Sequence, residues 1–92
     1  MEIKVKVEVF GVLREKVGFK HTEVILEGNE SKLIDLLNKL PNLKKWVVND
    51  SEGIREGFIV LINGIHAQFK GGLNAKLRDG DEVSIFPPGA GG

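Results

Sequence analysis

The sequence predicts an α+β protein, a mixed sheet of about five strands packed on one main helix. Two observations carry this expectation. Hydrophobic periodicity runs at two, changes to the 3–4 spacing of a helix, and then returns to short strand-like runs. Strand-like segments therefore lie on both sides of one helical stripe, and early and late strands must share that helix as cover. A third observation limits the arrangement: 92 residues leave room for a single core.

Residues 2–10 alternate, with Ile3, Val5, Val7 and Val9 on one face and Glu2, Lys4, Lys6, Glu8 and Phe10 on the other. That is a half-buried strand. Gly11 breaks it, and Val12 to Gly18 has room for a turn or one helical turn. A second strand is expected over His21–Glu27, where Thr22, Val24 and Leu26 alternate with Glu23, Ile25 and Glu27, and Gly28-Asn29 ends it. Leu33, Leu36, Leu37 and Leu40 then follow the stripe of an amphipathic helix, which Ile34 broadens. Asn29 or Ser31 is expected to cap its first N–H groups. Pro41 ends it by disfavouring helical geometry at Leu40. Leu43, Trp46 and Val47 repeat helical spacing briefly, and Asn49 to Gly57 reads as a polar loop.

Phe58–Ile62 is apolar throughout, the pattern of a strand contacted on both faces. Asn63-Gly64 is the strongest hairpin signal in the chain, because both residues tolerate positive φ. Ile65–Phe69 is the expected partner strand and Lys70-Gly71-Gly72 a loop; Asp79-Gly80 turns the chain into a last strand, Glu82–Phe86. Proline has no N–H to donate to a ladder, so Pro87-Pro88 stops that strand. The chain thus divides into a domain over 1–86 and a tail over 87–92.

Composition narrows the function classes. The 13 basic and 13 acidic residues cancel, so the chain lacks the basic surplus of a nucleic-acid binder. Lys44-Lys45 beside Trp46 reads as a solvated helix face. With no cysteine there is no disulfide, thiolate nucleophile or thiolate metal site. His21 and His66 have no second ligand at metal-binding spacing, and no metal is expected. No run of about 18 apolar residues is present to span a membrane, and Met1-Glu2-Ile3-Lys4 does not open like a secretory leader. The expected location is cytoplasmic.

The candidate functional features lie at the end of the chain. If Val83 and Ile85 face the helix, Phe86 projects outward immediately before the tail. Phe10 falls on the outer, lysine-bearing face of the first strand, and Ile59 and Leu61 are expected to share it. Together they suggest a patch for a partner. Pro87-Pro88 is expected to adopt a stiff polyproline conformation that lifts the tail off the sheet. Six extended residues reach roughly 18–20 Å. Gly89-Ala90-Gly91-Gly92 carries almost no side chain and can thread a narrow active site. Its carboxylate could be adenylated and then converted to a thiocarboxylate.

The run Leu77-Arg78-Asp79-Gly80-Asp81-Glu82-Val83-Ser84-Ile85-Phe86-Pro87-Pro88-Gly89-Ala90-Gly91-Gly92 resembles the C-terminal signature of MoaD-type proteins, the small subunit of molybdopterin synthase. Phe10-Gly11-Val12-Leu13-Arg14-Glu15-Lys16-Val17-Gly18 resembles that family's segment after the first strand, and Asn63-Gly64 fits its central turn. The element order likewise resembles the β-grasp fold of ubiquitin-like proteins. ThiS-type thiamine sulfur carriers share the fold and the Gly-Gly ending. Gly89 stands where the family usually has an apolar residue, and the 41–57 segment is longer than in its shortest members.

The resemblance implies a sulfur carrier rather than a stand-alone enzyme, with no bound cofactor. An adenylyltransferase of the ubiquitin-activating type would use ATP to adenylate Gly92, and a sulfurtransferase would supply sulfur. The thiocarboxylate would then serve the large subunit of molybdopterin synthase. Gly92 is the modified residue by this carry-over, with Gly91, Ala90 and Gly89 as the thin tail. Phe86, Pro87 and Pro88 match the partner-contacting run, with Phe10 and Leu61 beside them. Conjugation to lysines, tRNA thiolation and thiamine synthesis are the alternative uses of such an end.

Overall fold

A computed structural model describes residues 2–89. Five strands form one mixed sheet: β1 (Glu2–Val9), β2 (His21–Glu27), β3 (Ile59–Ile62), β4 (Ile65–His66) and β5 (Glu82–Phe86), in the order β2-β1-β5-β3-β4. The expected mixed sheet with helical cover is present. Short helices α1 (Leu13–Val17), α2 (Leu33–Asn38) and α3 (Pro41–Val47) complete it, with 3₁₀ turns over Ala67–Lys70 and Gly72–Asn74.

The two-residue period of the strands decides what goes inside. Val5, Val7, Val9, Val24, Leu26, Val60, Ile62, Val83 and Ile85 are buried under Leu33, Leu36 and Leu37 of α2 and Leu43 and Val47 of α3. Each such side chain contributes about 1.5–3 kcal/mol by leaving water. The sheet therefore has one dry face and one open face. Pro41 both stops α2 and opens α3 as its first residue, where a missing N–H costs nothing.

Topology sets where β5 ends. β1 and β5 are parallel, with Val7 opposite Val83 and Val9 opposite Ile85. β3 runs antiparallel to β5, with Ile59 opposite Phe86 and Ile62 opposite Val83. The C-terminal ends of β1 and β5 and the start of β3 consequently meet at one end of the sheet. Residues 10–11, 57–59 and 86–88 gather there.

Four expectations are corrected. The partner strand expected over Ile65–Phe69 stops at His66, because Ala67 is drawn into the core and the chain leaves the sheet as a 3₁₀ turn. Leu73, Ala75 and Leu77 continue that inward path, tied to the start of α2 by Leu33 N–H to Ala75 O at 2.9 Å and Leu77 N–H to Ser31 O. The cap of α2 comes from neither Asn29 nor Ser31. Asp35 reaches back instead, its Oδ2 accepting from Ser31 N–H at 3.1 Å and Lys32 N–H at 3.0 Å. That is the acidic half of a capping box, and a carboxylate suits the positive end of a helix. Third, β3 is not contacted on both faces: Val60 and Ile62 are buried, whereas Ile59 is 42% exposed and Leu61 half-buried. Its continuous apolar run serves the core on one side and an open patch on the other. Fourth, Pro87 is buried rather than part of a solvated spacer.

Asn63 and Gly64 form the expected turn, with φ of 50° and 82°. The Asn63 side chain also holds β5 in place, accepting from Glu82 N–H at 3.0 Å and donating to Asp81 Oδ1 at 2.8 Å.

Candidate functional site: the root of the C-terminal tail

On the open face of the sheet, Phe10 and Phe86 stack with ring centroids 4.2 Å apart and planes 10° from parallel. Their placement follows from the parallel β1–β5 pair, since both side chains leave adjacent strand ends on the same side. Phe10 N–H donates to Ile85 O at 3.0 Å, which extends the ladder one residue past β1. Such a pair is worth about 0.5–1.5 kcal/mol beyond its buried area, enough to hold both rings in one orientation. Ile59 lies in register beside Phe86, and Leu61 beside Ser84. Phe86, Phe10, Ile59 and Leu61 are thus brought together in one apolar strip at the end of the sheet where the tail departs.

Arg14 borders this strip. Its Nε donates to Val9 O at 2.8 Å, its guanidinium carbon stands 5.4 Å from the Phe10 ring centroid, and Nη2 lies 3.8 Å from Glu8 Oε2. The ion pair is half exposed and contributes little to stability. Positioning matters more: a fixed cation sits against the aromatic stack. Nothing in the sequence pattern alone assigns Arg14 this place.

Pro87 corrects the expected stiff spacer. It is buried, not lifted off the sheet. A Cβ placed on Gly11 would stand 3.3 Å from Pro87 Cγ, so the ring lies close against the backbone following β1. A Cβ on Gly57 would lie 2.6 Å from Pro88 Cβ, a distance that real side chains do not adopt. Pro88 itself is exposed, and Pro88-Gly89 turns. The exposed member of the proline pair is therefore Pro88, while Pro87 packs against the sheet end. Gly89 lies at the edge of the described residues; Ala90, Gly91 and Gly92, the end expected to be modified, lie outside them.

Sequence reasoning missed Gly11 and Gly57 as parts of the site. In the sequence each is only a breaker bounding a loop. Nothing in the spacing of a Gly in one loop reveals that a proline 76 or 31 positions later rests on it. His21 and His66 are both exposed, on β2 and β4, and His66 meets Phe69 edge-on at 5.9 Å between centroids. Among the described residues no three metal-ligating side chains cluster. No helix among them is long and apolar enough to cross a membrane.

An open β-sheet with helices on one face, a C-terminal strand in its middle and a Gly-rich run beyond it define a ubiquitin-like β-grasp protein. The chain belongs to the ThiS family, whose family model matches residues 7–92, and is a MoaD/ThiS-type sulfur carrier. A relative from Archaeoglobus fulgidus assigned as a sulfur carrier protein is 36% identical over 64 residues, which cover 67% of this chain and 72% of the relative. Small archaeal modifier protein 1 from Methanosarcina acetivorans has a solved structure that is 30% identical, with a TM-score of 0.77 over 100% of this chain and 99% of its own. A Pyrococcus furiosus protein assigned as molybdopterin converting factor subunit 1 is 27% identical, with a TM-score of 0.69 over 94% of this chain and 98% of its own.

Proposed function

We propose that this chain carries sulfur as a thiocarboxylate on Gly92 and delivers it in molybdopterin synthesis. The observation that carries the reading is the apolar strip of Phe10, Phe86, Ile59 and Leu61 at the root of the tail. A partner that grips this strip receives the tail in the same act, so recognition and delivery are coupled. The likeness to the Pyrococcus furiosus protein assigned as molybdopterin converting factor subunit 1 supports the choice of pathway.

The chemistry resides in partners. An activating enzyme of the ubiquitin-activating type lets a Gly92 carboxylate oxygen attack the α-phosphorus of ATP, expelling pyrophosphate and leaving an acyl-adenylate. Sulfur at the hydrosulfide level, brought by a sulfurtransferase, attacks the acyl carbon and expels AMP. Two such sulfurs placed on a pterin precursor within the large synthase subunit make the dithiolene that holds molybdenum or tungsten. The carrier contributes a chemically bare end, because a chain without cysteine offers no thiol of its own to attack the adenylate.

A strain lacking this chain tests the pathway. Molybdoenzyme or tungstoenzyme activity is expected to disappear and to return with the intact gene. Normal activity of those enzymes together with undersulfurated tRNA or a thiamine requirement would contradict the pterin assignment. A second reading, a lysine-conjugated modifier, is favoured by the 30% identity to a small archaeal modifier protein. Its mark would be Gly-Gly remnants on lysines in digests of cell protein.

A further inference from the structure

We infer that Gly57 is a positioning residue for tail transfer: its missing Cβ seats the Pro88 ring and so aims the tail. The inference rests on the reading that Gly92 is activated by an adenylating enzyme. It adds a residue 35 positions away in sequence that touches no reacting atom.

Gly57 sits in a segment held on both sides. Arg55 N–H donates to Val47 O, and Phe58 N–H donates to Arg55 O at 3.1 Å. The Arg55 side chain adds Nε to Trp46 O at 3.0 Å and Nη2 to Val48 O at 3.1 Å, so the loop is tied to the end of α3. Asn49 Oδ1 accepts from Ser51 N–H at 2.9 Å and Gly53 N–H at 3.0 Å, which stiffens the loop's first half. Past Gly57 the chain enters β3, whose Ile59 pairs with Phe86. Gly57 is thereby a fixed wall rather than a mobile one.

Pro87 and Pro88 meet two such walls. Gly11, following β1, lies against Pro87, and Gly57, preceding β3, lies against Pro88. Proline restricts φ at both tail positions, so little freedom remains once each ring is seated. The direction in which the chain passes from Pro88 to Gly89 is then set by this cradle. A methyl at Gly57 collides with a ring atom that has no flexible end to swing aside, while Pro88 is exposed and free to be pushed outward. The fold survives and the tail is redirected. Only the fraction of carriers with a correctly aimed tail then binds productively, and apparent affinity falls by that fraction.

The test compares Gly57→Ala with Gly80→Ala, since the two glycines have φ of 89° and 88° while a Cβ on Gly80 meets nothing within 4 Å. Backbone strain is matched, so both variants are expected to lose similar thermal stability. Pyrophosphate exchange from ATP by the purified activating enzyme is measured against carrier concentration. Wild type and Gly80→Ala are expected to share one KM, and Gly57→Ala to raise it about tenfold with kcat unchanged, as a reduced competent population requires. The Gly57→Ala/Pro88→Gly pair is expected to match Pro88→Gly alone, because the ring atom the methyl strikes is gone. A KM for Gly57→Ala equal to that of Gly80→Ala would overturn the inference. So would a double variant whose defect is the product of the two single defects, which would mean that the methyl obstructs the enzyme directly. Absence of exchange with the wild-type chain would instead sink the functional reading itself.

Discussion

Removing Gly91-Gly92 is expected to abolish formation of the acyl-adenylate, a loss of at least about 10³-fold, while leaving the melting temperature within experimental error. The core that sets stability lies between Val5 and Ile85, and its buried leucines, valines and isoleucines are all retained by the truncation. The activated group, in contrast, is repositioned by two residues. An adenylating site that accepts a bare Gly-Gly end gains most of its rate from placing the carboxylate in line with the α-phosphorus, and misplacement by even an ångström costs about 10²-fold. A shortened chain places its carboxylate two residues short of that point. Pyrophosphate exchange and calorimetry on the same preparation check both halves. Exchange persisting within tenfold of wild type would show that Gly92 is not the reacting end.

The second large effect is expected at Phe86. Its ring is stacked on Phe10 and flanked by Ile59, so it occupies the centre of the apolar strip. Central aromatic anchors of interfaces typically cost about 2–4 kcal/mol when truncated, or roughly 30- to 1,000-fold in affinity. Phe86→Ala should therefore weaken binding to the activating enzyme and to the sulfur acceptor by that range, as read by calorimetric titration. It also removes the stack, worth about 0.5–1.5 kcal/mol of fold stability. The control is Ile25→Ala, exposed on the outer strand β2 and away from the tail, which should leave both affinities within about twofold. Equal losses at Ile25 and Phe86 would mean that no localised patch exists.

Much of this arrangement was legible before the structure. Alternation in residues 2–10 fixes which side of β1 is dry, and Phe10 inherits the outer side by counting. The same count places Phe86 outward once Val83 and Ile85 are inward. The helical stripe through Leu33, Leu36 and Leu37 is equally plain. The early end of β4 was not, because Ala67 is small and reads as neutral in a strand, yet the core claims it. Nor was the cap of α2, where the visible candidates Asn29 and Ser31 lose to a carboxylate inside the helix.

Less legible still was the proline pair. Sequence gives Pro87-Pro88 a conformation but not surroundings, and an extended, solvated spacer was the natural expectation. Its burial arises from strand order, since the parallel pairing of β1 with β5 and the antiparallel entry of β3 bring Gly11 and Gly57 against it. Non-local contacts of this kind leave no periodic trace. Arg14 was hidden for a different reason: its hydrogen bond to Val9 O spans only five residues, but it depends on α1 folding back over the end of β1.

Under the proposed function the apolar strip and the cradle serve one purpose, presentation of a C-terminal carboxylate for activation and sulfur loading. The most direct test is the intact mass of the protein isolated from its own cells under reducing conditions. Replacement of one carboxylate oxygen by sulfur adds about 16 Da, and the gain is expected to map to the C-terminal peptide and to increase on mild alkylation by the mass of the alkyl group added to sulfur. Protein bearing only an unmodified carboxylate, from cells actively making the pterin cofactor and with the activating enzyme present, would contradict the account.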